Sequence, residues 1–84
     1  MKYAIKIIPK AQKDLDKIKG KDFNFIRNKV LLLSVKPRPY GCAKLTQEEG
    51  YRVRIGNFRI LYRIDDTAKE IIIYRIKHRK EAYK

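Results

Sequence analysis

One twelve-residue stretch, Tyr51-Arg-Val-Arg-Ile-Gly-Asn-Phe-Arg-Ile-Leu-Tyr62, constrains the fold of this chain more than any other. Before Gly56-Asn57, Tyr51, Val53 and Ile55 alternate with Arg52 and Arg54. After it, Phe58, Ile60 and Tyr62 alternate with Arg59, Leu61 and Arg63. Such alternation marks strands with one buried face, and Gly-Asn is a standard two-residue hairpin connection. A two-residue loop sets Ile55 against Phe58, Arg54 against Arg59, Val53 against Ile60 and Arg52 against Leu61. One face is then core material, and the other carries Arg52, Arg54 and Arg59, with Arg63 at the far end.

Like charges directly opposite each other across two strands cost roughly 0.2–1 kcal/mol. Clustered guanidinium groups make better sense around an anion, and their planar fork suits phosphate. The bland alternative is a solvated basic face on a basic protein. The chain does carry a formal charge of +13 over 84 residues. That balance favours polyanionic partners such as nucleic acid, ribosome or an acidic protein, and says nothing about fold. The bases are unevenly divided: residues 1–50 hold ten lysines and two arginines, residues 51–84 four lysines and six arginines. Since arginine makes the fixed contacts to phosphate, the chemistry points to the C-terminal half.

The length fits a single domain, 1–84, with one modest core. Cys42 stands alone, which excludes a disulfide framework and a thiolate metal site. No apolar run approaches the ~20 residues of a membrane span, and residues 1–4 run straight into strand pattern, so no signal peptide is expected. A soluble, cytoplasmic protein without membrane contact is expected.

Taken in order, residues 2–8 read as a first strand, with Tyr3, Ile5 and Ile7 on one face. Pro9 suits the first turn of a helix whose stripe is Ala11, Leu15 and Ile18 and whose stop is Gly20. Lys10, Lys13, Lys17 and Lys21 form a ridge beside that stripe, either a solvated face or a contact to a ribosomal or nucleic-acid backbone. Asp22 is the expected N-cap of a second helix. Its face of Phe23, Ile26, Val30 and Leu33, widened by Phe25, Leu31 and Leu32, is expected to supply most of the core. A proline-stiffened loop over 36–41 follows, then a short extended piece at 43–45 and a polar turn over 46–50. After the hairpin and a turn at 65–69, Glu70–Lys77 is an apolar, β-branched strand expected to lie centrally in the sheet. The fold class is α+β, in the order β-α-α-β-β-β: a mostly antiparallel sheet with both N-terminal helices on one face.

With one His, one Cys and scattered acids, no zinc or thiol–imidazole site can be assembled; no Gly-rich phosphate loop and no paired carboxylates are present, and no cofactor is expected. What recurs is cations with interleaved tyrosines: Arg52, Arg54, Arg59, Arg75, Lys77, His78, Arg79, Lys80 and Tyr83. Basic groups bind a nucleic-acid backbone and aromatics stack unpaired bases. The same set permits metal-free RNA cleavage, in which a ribose 2′-OH attacks its own phosphate. Arginines offset the phosphorane charge. Proton transfer needs another group, because arginine stays protonated. His78 and Tyr83 are the candidates, with Lys77 and Lys80 behind them. A surface strand end for His78, and a hydrophobic cap for Tyr83, are the structural alternatives.

The hairpin, Asp65-Asp66, the following apolar strand and His78-Arg79-Lys80-Glu81-Ala82-Tyr83 together resemble the C-terminal signature of the RelE/ParE toxin superfamily. Pro9-Lys10-Ala11 with Lys13-Asp14-Leu15 resembles the start of its first helix, and Pro37, Gly41 and Lys44-Leu45 its helix-to-hairpin connection. The resemblance spans essentially the whole chain. It implies the toxin of a type II toxin–antitoxin pair, and for a RelE-like member a ribosome-dependent endoribonuclease that cuts A-site mRNA without metal. Its partners would be the ribosome, mRNA and a RelB-like antitoxin that covers the active surface or displaces the C-terminal tail. The family's basic catalytic positions fall on Arg52, Arg54, Arg59 and Arg79, and its base-stacking aromatic on Tyr83. RelE itself has lysines at the two alternating hairpin positions, one of them in proton transfer, where this chain has Arg52 and Arg54. Either His78 or Tyr83 takes over that role, or cleavage is slow, or the activity differs. The location of His78 and Tyr83 favours the first.

Overall fold

The computed structural model describes residues 2–45 and 50–78. Its elements run β1 (Ala4–Ile7), α1 (Pro9–Asp16), α2 (Gly20–Val35), β2 (Ala43–Lys44), β3 (Tyr51–Ile55), β4 (Phe58–Asp65) and β5 (Glu70–His78). The expected order holds, with the extended piece at 43–45 forming the two-residue strand β2. The sheet order is β1-β5-β4-β3-β2, so β5 is paired on both sides and β4 takes the middle. Only β1 and β5 are parallel, as a connection long enough to hold two helices allows. The hairpin register is the one its alternation demands: Ile55 pairs with Phe58, Arg54 with Arg59, Val53 with Ile60, Arg52 with Leu61 and Tyr51 with Tyr62. Gly56 takes φ +57, the positive value that two-residue hairpin turns ask of their first position.

The helices depart from expectation in three respects. First, α1 ends at Asp16, and Ile18 lies beyond it, because the N–H groups of Lys17 and Ile18 bond back three residues to Asp14 and Leu15 and tighten the chain out of the helix. Gly20, with φ +68, therefore opens α2 instead of closing α1. Second, Lys19 is the N-cap of α2 and Asp22 sits within its first turn, where a carboxylate still meets the positive helix end. Third, α2 does not supply most of the core. Among the described residues, six of the ten buried apolar ones are on strands (Val53, Ile60, Tyr62, Ile71, Ile73 and Ile76), and α2 adds only Ile26, Val30 and Leu33. A helix laid on a sheet buries one stripe, so residues about 100° away stay in water. Phe25, Leu31 and Leu32 are 54%, 56% and 40% exposed.

The core is pinned at Tyr62, whose hydroxyl donates to Pro37 O at 2.7 Å and whose ring stacks on Tyr51. Burial pushes its phenol well above the ordinary range. Nearby, Gly50 stands where no side chain fits: φ is +135 and an added Cβ would lie 2.8 Å from the carbonyl oxygen of Tyr62. The proline loop is tied to the β4–β5 turn by Arg38, which donates to Asp66 at 2.9 Å and to the Tyr51 hydroxyl at 3.2 Å. Tyr3 donates to the other Asp66 oxygen at 2.7 Å, and these bonds, Arg38 foremost, hold that carboxyl below its usual value. Among the described residues no helix is long and apolar enough to cross a membrane.

Candidate nucleic-acid interface

The cationic face is assembled by pairing across three strands. Arg54 on β3 pairs with Arg59 on β4, and Arg59 pairs with Lys77 on β5. Partners directly opposite on neighbouring strands stand about 5 Å apart at Cα and point the same way. The result is a row of three cations on the face opposite the buried Val53–Ile60–Ile76 row. A second row runs through Arg52, Leu61 and Arg75. Arg54 is exposed, and Arg52, Arg59 and Lys77 are half-buried, their stems lying along the sheet.

Lys77 joins this row because of one irregularity. Leu61 pairs with Arg75 but Tyr62 pairs with Ile73, so Tyr74 is an extra residue, a β-bulge. Strict alternation from Ile71 and Ile73 would have turned Arg75 and Lys77 into the core. The bulge resets the phase: Ile76 is buried, Lys77 joins the arginines, and His78 moves to the helix side. There His78 pairs with Phe58 in register, and the two rings meet edge to face at 5.0 Å. The structure thus separates two residues that the sequence grouped, with Lys77 beside Arg54 and Arg59 and His78 on the other face. Arg79, Lys80 and Tyr83 lie outside the described residues.

Arg75 is committed elsewhere. β1 pairs with β5 only as far as Ile73, and α1 covers the edge beyond it. Asp14 on α1 accepts the Ile76 N–H at 3.0 Å and Arg75 Nε at 2.8 Å through a single carboxylate oxygen. It thereby stands in for a missing strand and fixes the end of β5 that carries Lys77. Sequence reasoning missed this role; of the two acids of α1, Asp14 is the one that is not exposed, and the sequence does not distinguish it from Asp16. Asp14→Ala is expected to destabilise the fold by about 1.5–3 kcal/mol, the range for hydrogen bonds to charged groups, with Asp14→Asn recovering part of it in urea denaturation. Of the lysine ridge, Lys10 and Lys13 are exposed on α1 and Lys17 is its C-cap, while Lys21 belongs to α2.

Comparison with known proteins gives a consistent picture. Residues 5–83 match the family model described as the ParE toxin of the type II toxin–antitoxin system parDE. A Methanocaldococcus jannaschii protein bearing the name RelE1 is 32% identical over 100% of this chain and 98% of its own length. A chain of the RelBE2 toxin–antitoxin complex from Mycobacterium tuberculosis superposes with a TM-score of 0.82 at 29% identity, over 94% of this chain and 100% of that one. A chain of the archaeal RelE–RelB complex from Pyrococcus horikoshii does so with a TM-score of 0.80 at 25% identity, over 94% and 97%.

Proposed function

Since the chain belongs to the ParE toxin family of type II toxin–antitoxin systems, within the RelE/ParE superfamily, we propose that this toxin acts as a ribosome-dependent endoribonuclease on A-site mRNA. The observation that carries this reading is the row Arg54–Arg59–Lys77. Three cations held in register cradle a phosphate whose charge grows as the 2′-oxygen, its proton passing to solvent, bonds to phosphorus and the 5′-oxygen leaves. Arg54 and Arg59 stabilise that charge, and fixed donors of this kind are often the largest catalytic term. Arg52, one residue pair along the sheet, holds the adjoining backbone. Lys77 shares the face with both arginines, so its ammonium protonates the departing 5′-oxygen; His78, across the sheet, is farther from that role than its place in the sequence suggests. Arg79 and Tyr83 complete the set as a further cation and a base-stacking ring, and Lys10, Lys13, Lys17 and Lys80 supply general attraction to RNA.

A RelB-like antitoxin is the expected partner, since the similar Mycobacterium tuberculosis and Pyrococcus horikoshii chains were solved in toxin–antitoxin complexes. The exposed Leu31, Leu32 and Val35 of α2 offer it an apolar surface. A second reading, inhibition of DNA gyrase without RNA chemistry, is favoured by the ParE family match and by arginine at both 52 and 54. Primer extension on a reporter mRNA in a reconstituted translation system separates the two. Breaks within A-site codons that require ribosomes are expected. Intact mRNA, with an SOS-type response in expressing cells, would transfer the assignment to gyrase.

A further inference from the structure

At the end of β5 the helix side of the sheet opens into a cleft of about 340 Å³, within the roughly 300–1,000 Å³ typical of small-ligand sites. Its apolar lining is Ile18, Ile76 and the edge-to-face pair Phe58–His78. Lys17, Lys19 and Asp22, all exposed, stand at it from the α1–α2 connection and the first turn of α2, and Asp14, whose carboxylate is engaged by Arg75 and the Ile76 N–H, completes the lining. An aromatic pair, two ammonium groups and a carboxylate are three complementary parts of one ligand chemistry. A π-face takes a flat ring, ammonium groups take a phosphate, and a carboxylate accepts from an exocyclic amino group.

The cleft lies across the sheet from the cationic row, at the same end of β4 and β5. Lys77 and His78 are consecutive, about 3.3 Å apart along the strand, and stand on opposite faces; Phe58 and Arg59 repeat the arrangement on β4. A single strand held by Arg54, Arg59 and Lys77 has only to turn over the end of β4 and β5 for a neighbouring nucleotide to reach the cleft. We infer that this cleft is a second nucleotide subsite, which takes an unpaired, amino-bearing base (adenine, cytosine or guanine) of the RNA against Phe58 and His78, with its phosphate at Lys17 and Lys19 and its amino group at Asp22. The inference rests on the RNA-cleaving reading. It gives Lys17 a specific task, and it gives His78 a part in RNA recognition on the face where the structure puts it.

The test uses the full chain and two fluorescently labelled heptanucleotides, 2′-O-methylated so that no nucleophile is present: one of adenine and cytosine, one of uracil only. Phe58→Leu is expected to weaken binding of the first by about five-fold or more, the scale of one lost base–aromatic stack. Asp22→Asn, an exposed change that leaves the fold intact, is expected to level the preference for the first over the second. Lys17→Gln with Lys19→Gln is expected to weaken both equally and to flatten the salt dependence. If Arg54→Gln weakens binding while all cleft variants match wild type, the subsite is overturned and the cationic row stands. If Arg54→Gln also leaves binding unchanged, the RNA reading fails and the subsite falls with it.

Discussion

Arg54→Gln is expected to lower ribosome-dependent mRNA cleavage by roughly 10²–10³-fold, the usual result of deleting one preorganised donor to a developing anion. It should do so without loss of fold. Arg54 is exposed and faces Arg59 in register, so its neutralisation relieves a like-charge pairing worth roughly 0.2–1 kcal/mol. A melting temperature equal to or above wild type, with cleavage nearly abolished in primer extension, is the expected pair of results. Full cleavage by a folded Arg54→Gln protein would remove the row from the mechanism. Lys77→Arg sharpens the point. Arginine keeps the positive charge but does not give up its proton, so RNA affinity is expected to persist while cleavage drops. If Lys77→Arg cuts at the wild-type rate, the leaving oxygen takes its proton from another group.

Tyr62→Ala is expected to be the most damaging single change to the fold. The side chain is fully buried, its ring stacked on Tyr51 and its hydroxyl bonded to Pro37 O in the loop after α2. Large aromatic-to-alanine changes cost about 3–5 kcal/mol, a large share of the 5–15 kcal/mol that holds a typical domain together. Tyr62→Phe keeps the ring and loses one hydrogen bond, about 1 kcal/mol. The pair is read by urea denaturation: a shift for Tyr62→Ala no larger than for Tyr62→Phe would place the weight on the hydroxyl and not on packing. The phenol adds a pH signature. Burial raises its pKa, so the unfolded chain releases that proton first, and stability falls as pH rises past the ordinary value of 10.0. In Tyr62→Phe that alkaline component is expected to vanish.

The hairpin was legible because its information is local. Alternation, a two-residue Gly56-Asn57 turn and the two-residue repeat of a strand leave one register that buries Val53 and Ile60 and exposes Arg54. The helices were legible in kind but not in extent. Periodicity marks the apolar face of α2, yet cannot say how wide a stripe the sheet covers, and Phe25, Leu31 and Leu32 stay outside the core. The end of α1 is hidden in the sequence because a stripe of apolar residues continues in phase after the backbone has left the helix.

By itself, then, the sequence determined an α+β domain, the pairing of β3 with β4, and an arginine face on the outer side of that hairpin. The tertiary structure alone decided what joins that face. The partners of β5 are remote in sequence: β1, more than sixty residues away, pairs only as far as Ile73, and Asp14 takes over the edge beyond it. The bulge at Tyr74 then sends Lys77 to the arginines and His78 to the cleft. Its trace in the sequence is the step from Ile71 and Ile73 to Ile76, three residues where alternation asks for two. That step is ambiguous on the page, because period two and a one-residue slip assign opposite faces to the same side chains. Only the packing of Ile76 against Ile60 resolves it.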